Sequence, residues 1–225
     1  MIRVAITTDR FDEVAPHFGR LGLDPMALPC VRVELASSEI LASARHEASQ
    51  AEVLLITSVR TLDLLWPHRA MPAVKTAAVG ESTAAEVAKR GGQVIAIGRS
   101  GLADLINQAV GWLPGARVVF PHAAGSDPSA LQALRAHFAD FREFEVYRSV
   151  PVPPPTTPVD AAAFAAPSAV KGWLLARDLD GQVVGVIGPT TEAAVARHRP
   201  PDVIAPQPSH EALARALASY LEVAV

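Results

Sequence analysis

Two short turns of matching pattern carry groups that could do chemistry: Ala78-Val-Gly80-Glu-Ser82-Thr83 and Val186-Ile-Gly188-Pro-Thr190-Thr191. In each, an apolar run ends in glycine and hydroxyl side chains follow where a helix would begin. Free amides and hydroxyls at a helix start accept carboxylate or phosphate groups. The plainer reading is that glycine permits a tight turn and threonine caps the helix. The capping-box spacing of Thr83-Ala-Ala-Glu86, and the place of Thr190 or Thr191, fit that reading too. Neither turn has the lysine of a phosphate loop or the spaced glycines of a dinucleotide fingerprint.

Residues just after the other apolar runs widen the candidate set. They are Thr7 and Thr8 with Arg10, Thr57 and Ser58 with Arg60, His122 to Ser126 (including Ala123 and Gly125), and Ala166-Pro167-Ser168. Tyr147, in Val146-Tyr-Arg-Ser-Val-Pro151, is one of two tyrosines. Packing and a hydroxyl donor at a cleft are both open to it. Arg60 and Arg148 could pair with an anion or simply be solvated. Ser126-Asp127-Pro128-Ser129 reads as a helix start with proline in the first turn. No nucleophile–base–acid set stands out, and the seven histidines show no His-x-x-x-His pair. Metal catalysis is not expected, so binding and positioning must do most of any catalytic work.

These residues sit where short apolar runs end. Ile2–Ile6, Val53–Ile56, Thr76–Val79, Val94–Ile97, Arg117–Phe120, Trp173–Leu175, Val183–Ile187 and Val203–Ala205 read as buried strands. Helical stretches at Phe11–Leu21, Thr61–Trp66, Thr83–Lys89, Leu102–Val110, Ser129–Phe138, Thr191–His198 and Glu211–Leu221 separate many of them. Such alternation predicts an α/β fold with parallel sheets and crossover helices. In open sheets of that kind, ligands bind beyond the carboxyl ends of the strands.

The chain also repeats itself. Besides the two glycine turns, Ile56-Thr-Ser58-Val-Arg-Thr-Leu matches Phe164-Ala-Ala166-Pro-Ser-Ala-Val, and Ser58 precedes Thr83 by the interval at which Ala166 precedes Thr191. Gly98-Arg-Ser100-Gly-Leu corresponds to Gln207-Pro-Ser209-His-Glu. A second kind of unit, Arg3-Val-Ala-Ile-Thr-Thr, resembles Arg117-Val-Val-Phe-Pro-His; each copy leads through a helix to an extended stretch, Leu28–Leu35 or Phe144–Val152. The order is A, B, A, B. Neither kind of unit can bury both faces of a sheet alone, so each A must join a B. Neighbours could pair, or first with last around the middle; composition does not choose. The Pro-rich Pro151-Val-Pro-Pro-Pro-Thr-Thr-Pro158 suits a linker.

Composition narrows the function classes. The chain has 225 residues, half of them apolar, and a formal net charge of −3. That excludes wholesale disorder. No basic run is present, so neither nucleic acid nor an acidic membrane surface is an expected partner. Cys30 is the single cysteine, which rules out an intrachain disulfide framework. The first ten residues lack the apolar core of a signal peptide, and a cytoplasmic location is expected.

Taken in order and spacing, Ile56-Thr-Ser58, Val79-Gly80-Glu-Ser-Thr83, Val146-Tyr147-Arg148-Ser-Val-Pro151, Ala166-Pro-Ser168-Ala-Val, Ile187-Gly188-Pro189-Thr190-Thr191 and the closing Ala205-Pro-x-Pro-Ser209-x-x-Ala-Leu resemble the uroporphyrinogen-III synthase family. The likeness covers essentially the whole chain. It implies two flavodoxin-like parallel-sheet domains joined by a two-stranded linker, with the active site in the cleft between them. Residues 1–33 with 153–225 would form one domain and 36–144 the other, with linkers near 28–35 and 144–152. The implied reaction is that of a lyase in tetrapyrrole biosynthesis. Hydroxymethylbilane closes to uroporphyrinogen III with loss of water, and ring D inverts through a spiro intermediate. No cofactor or metal is implied.

By the same resemblance, Tyr147 matches the family's connector tyrosine and would help the hydroxyl leave as water. Ser58, Thr83 and the Gly188–Thr191 turn carry over as substrate contacts. Thr8, Arg10, Arg60, Gly80, Ser82, His122, Ala123, Gly125, Pro167 and Ser168 complete the expected binding set. The expected partner is a linear tetrapyrrole bearing carboxylates, with the upstream hydroxymethylbilane synthase as a candidate protein partner of a monomer. Three departures stand out: Thr8-Asp9-Arg10 where many members have Thr-Arg-Pro, Pro121-His-Ala-Ala-Gly-Ser126 where an Arg/Gly-rich turn is usual, and Ala166 in place of serine. Each removes a carboxylate partner. The alternative reading is a non-catalytic binding module of the same fold that senses a tetrapyrrole or another polyanion.

Overall fold

The computed structural model describes residues 1–67, 69–99, 101–109 and 115–222; Ser100 and Val110, part of the repeat and of a helix reading above, lie outside them. Along the chain come β1 (Arg3–Ile6), α1 (Phe11–Gly19), β2 (Asp24–Ala27), β3 (Val31–Leu35), α2 (Ser38–Ser49), β4 (Val53–Ile56), α3 (Val59–Leu65), β5 (Lys75–Val79), α4 (Glu81–Lys89) and β6 (Gln93–Gly98). There follow α5 (Leu102–Ala109), β7 (Arg117–Ala123), α6 (Pro128–His137), β8 (Asp140–Pro151), β9 (Ala161–Phe164), α7 (Pro167–Trp173), β10 (Val183–Val186), α8 (Pro189–Val195), β11 (Val203–Ile204) and α9 (His210–Tyr220). The chain forms two compact units, Met1–Val33 with Ser149–Val225, and Glu34–Arg148.

The α/β expectation holds. In the first unit the sheet order is β11-β10-β9-β1-β2, every neighbouring pair parallel. Counted within the unit this is 2-1-3-4-5, the flavodoxin order. Parallel strands with helices on both faces must be apolar throughout. The fully buried Ala161-Ala-Ala-Phe164 of β9 obeys that rule. Val4 and Ile6 point to one side, with Phe18, Leu213 and Leu217; Ala5 points to the other, with Phe164, Trp173 and Val186.

The second sheet runs β3-β8-β7-β4-β5-β6, with β8, β7, β4, β5 and β6 paired parallel in turn. Counting from β7 and β8 and then from β4 to β6 recovers the same 2-1-3-4-5 order. The sheets are therefore circular permutations of one another: β1-α1-β2 corresponds to β7-α6-β8, and β9 to β11 correspond to β4 to β6. One core of this unit gathers Val53, Leu55, Val118, Phe120, Leu134 and Phe138.

Several local expectations fail. Trp173–Leu175 is not a strand; Trp173 ends α7, and its Nε1–H donates to Asp178 O at 2.8 Å. Ala169, Val170, Gly172 and Trp173 are buried on that helix, and a short apolar run does not distinguish buried helix from buried strand. Helix α2 shows no apolar stripe in sequence because only Ala44 and Ala48 are buried on it. Strand β2 carries Pro25, tolerated because β2 is an edge strand. Strand β9 is mostly alanine, a poor strand former. Gly172 is required by close approach: a Cβ there would lie 2.0 Å from Cys30 O and 2.7 Å from Val152 O.

Candidate functional site

All strands within each sheet's paired core run the same way, so the turns after them gather at one edge. In the second unit that edge collects the ends of β4, β5, β7 and β8. Ser58 is the N-cap of α3, and its Oγ accepts the Arg60 N–H at 3.1 Å. Gly80 is the N-cap of α4, held at φ 81°, which suits glycine. Its N–H donates to Gly98 O at 3.0 Å. Ser82 is exposed, whereas Thr83 is buried in the first turn of the helix. Beyond β7, His122 is buried and Gly125 is exposed with φ 80°. Tyr147 on β8 is the register partner of Ala123 and 8 % exposed. The Arg60 guanidinium lies 5.9 Å from the centre of the Tyr147 ring, within cation–π range. Arg148 is bound to Glu34, Nε–Oε2 at 2.8 Å.

The first unit's edge collects the ends of β1, β9 and β10. Buried Thr7 donates from Oγ1 to Ala163 O at 2.7 Å, tying β1 to β9. Thr8 Oγ1 accepts the Arg10 N–H at 3.3 Å and donates to Asp9 at 3.3 Å. Arg10 is gripped by Glu13 through Nε–Oε1 and Nη2–Oε2, both 2.8 Å. Ala166 is the N-cap of α7, with Pro167 and Ser168 in its first turn. Gly188 is the N-cap of α8; Thr190 is exposed, Thr191 is buried, and its Oγ1 has no hydrogen-bond partner.

The reading of Thr83, and of Thr190 or Thr191, as helix caps is therefore corrected. Glycines hold both N-cap positions with no side-chain cap, and the threonines lie inside the first turn. Helices α2, α3, α6 and α9 are capped by Ser37, Ser58, Asp127 and Ser209, whereas α1, α4, α7 and α8 lack a side-chain cap. A helix start without a cap side chain leaves first-turn amides to water or to a ligand oxygen. Asp127 with Pro128 opens α6, in line with the Ser126–Ser129 reading.

One grouping escapes a reading of the sequence because its members come from opposite ends of the chain. His210 opens α9, and its pKa is pulled below the usual 6.5 by burial, then by the charges of His17 and Arg10, with Glu13 opposing. Burial pushes the Cys30 thiol up to about 12, against a small opposing pull from Arg177. It is neutral and a poor nucleophile. Among the described residues, no group of three or more His, Cys, Asp or Glu side chains could hold a metal ion. No helix among them is long and apolar enough to cross a membrane.

The model of a protein family described as uroporphyrinogen-III synthase HemD matches residues 12–215. A mutant uroporphyrinogen III synthase from the extremely thermophilic bacterium Thermus thermophilus is 17% identical over 99% of both chains and superimposes with a TM-score of 0.66. The uroporphyrinogen-III synthetase of Helicobacter pylori is 19% identical, covering 98% of this chain and 100% of its own, also with a TM-score of 0.66. At such identities these two structures speak for the fold alone. No curated protein sequence matches this one.

Proposed function

The chain belongs to the uroporphyrinogen-III synthase family, and on that premise we propose that it closes hydroxymethylbilane into uroporphyrinogen III, with loss of water and inversion of ring D. The observation that carries this is the family match over residues 12–215. The linear substrate is reactive and closes without inversion when left alone. A catalyst must therefore hold one conformation through ring closure rather than supply strong acids or bases. Neutral donors at the uncapped starts of α4, α7 and α8 suit a substrate rich in carboxylates, and they require no basic protein. Ser58, Thr83 and the Gly188–Thr191 turn are the proposed contacts. With Arg10 engaged by Glu13, backbone groups rather than guanidinium charge would do most of the gripping in the first unit. Tyr147 is the proposed proton donor to the departing hydroxyl, a modest general-acid role.

The test is to give purified protein fresh hydroxymethylbilane and resolve the product isomers. Type III product is expected. A product that is type I alone, as in a control without protein, rejects the proposal, and binding of the macrocycle without turnover would instead identify a non-catalytic binding module. Tyr147→Phe should slow turnover by about 100-fold, the low end for a positioned general acid, with its unfolding midpoint unchanged. An unaltered rate would remove Tyr147 from the mechanism.

A further inference from the structure

His122 lies near the end of β7, 1% exposed, on the face of the strand that carries Val118 and Phe120. Its ring stacks on Phe120 with centroids 4.6 Å apart. Nδ1 lies 2.8 Å from Ala123 O and 3.0 Å from Ser126 Oγ, while Nε2 is buried without a hydrogen-bond partner. A carbonyl oxygen only accepts, so the contact with Ala123 requires the proton on Nδ1.

What Nδ1 holds is tied in turn to Tyr147. Ala123 O accepts from His122 and also from Ser126 Oγ at 3.0 Å, which closes the turn that follows β7. The next amide, Ala124 N–H, donates to Tyr147 O at 2.7 Å. The pairing of β7 with β8 slips at this point: His122 faces Glu145 and Ala123 faces Tyr147, so Val146 is an additional residue. A bulge re-aims the side chain beside it. Val146 and Tyr147, at 0% and 8% exposure, are the buried pair of β8, between exposed Glu145 and Arg148.

We propose that His122 is a positioning residue for Tyr147: its Nδ1–H, with Ser126, locks the turn that holds the bulge, and the bulge sets the direction of the phenol. The kinetic consequence rests on the proton-donor role proposed for Tyr147 above; the structural consequence does not. Asparagine can return an N–H near the position of Nδ1, whereas glutamine reaches toward Nε2. The pair His122→Asn and His122→Gln therefore separates the two nitrogens.

With 13C-labelled tyrosine, Tyr147 and Tyr220 give two Cζ signals, assigned by the one that disappears in Tyr147→Phe. His122→Gln should move the Tyr147 signal and His122→Asn should restore it, with Tyr220 unmoved in both. A Tyr147 signal unaffected by either variant, or displaced equally by both, overturns the proposal. So does a wild-type histidine 15N spectrum in which the His122 proton sits on Nε2, a reading that requires no variant to fold. In the isomer assay, His122→Gln should lower kcat by about tenfold at constant KM, as a misplaced catalytic group does. It should add nothing in the Tyr147→Phe background, and full additivity there also overturns the proposal. Absence of any synthase activity would reject the proposed function while leaving the two spectroscopic measurements to decide this one.

Discussion

Ser58 and Ala166 occupy the same place in the two halves of the repeat, and the backbone treats them alike. Their φ and ψ are −157°, 139° and −156°, 150°. Only Ser58 has an oxygen with which to cap its helix. Ala166→Ser should therefore raise stability and Ser58→Ala should lower it, each by about 1 kcal/mol, read from urea unfolding midpoints. Equal midpoints for all three proteins would show that neither cap matters. The repeat made this pair visible in sequence, because it rests on residues close along the chain. The orientations of Thr83 and Thr191 were not visible. Which side of a helix faces the sheet is decided by the sheet it packs on, and here that side takes the threonines inward.

Helix α9 begins in a polar cluster that sets a pH dependence for its half of the molecule. His210 has its pKa lowered by burial first and by His17 and Arg10 next. Below an ordinary value of about 6.5 the unfolded chain takes up a proton that the folded chain still resists. Stability is thus fully present above that value and is lost as pH falls toward the lowered folded one. Urea midpoints measured between about pH 7 and pH 5 should fall more steeply for the wild type than for His210→Gln. Parallel slopes would remove His210 as the cause. Among the elements, the β4, β5, β7 and β10 runs were readable because buried parallel strands are apolar throughout. Alanine-rich β9, proline-bearing β2 and weakly striped α2 were not, since packing overrides weak local preference. The run at Trp173 reads as a strand although it ends a helix for a related reason: a buried helix and a buried strand are both apolar over so short a span.

At the scale of the whole molecule, the second unit is an insertion whose two ends meet. Glu34 and Arg148 pair at 2.6 Å, and Ala36 N–H donates to Val146 O at 3.1 Å. With adjacent ends and its own core, the segment Glu34–Arg148 expressed alone should unfold in a single cooperative urea transition. A broad, non-cooperative change would show that it depends on the rest of the chain. The amino-acid sequence determined the α/β class, the turns that follow the strands and the twofold repeat, because strand burial and turn chemistry are written in neighbouring residues. Only the tertiary structure decided that the first A unit hydrogen-bonds with the last B unit, that two glycines rather than threonines occupy the caps, and that Tyr147 is buried beside a slip in strand register. Those outcomes depend on register between strands far apart in the chain, where a shift of one residue reverses the side a residue faces.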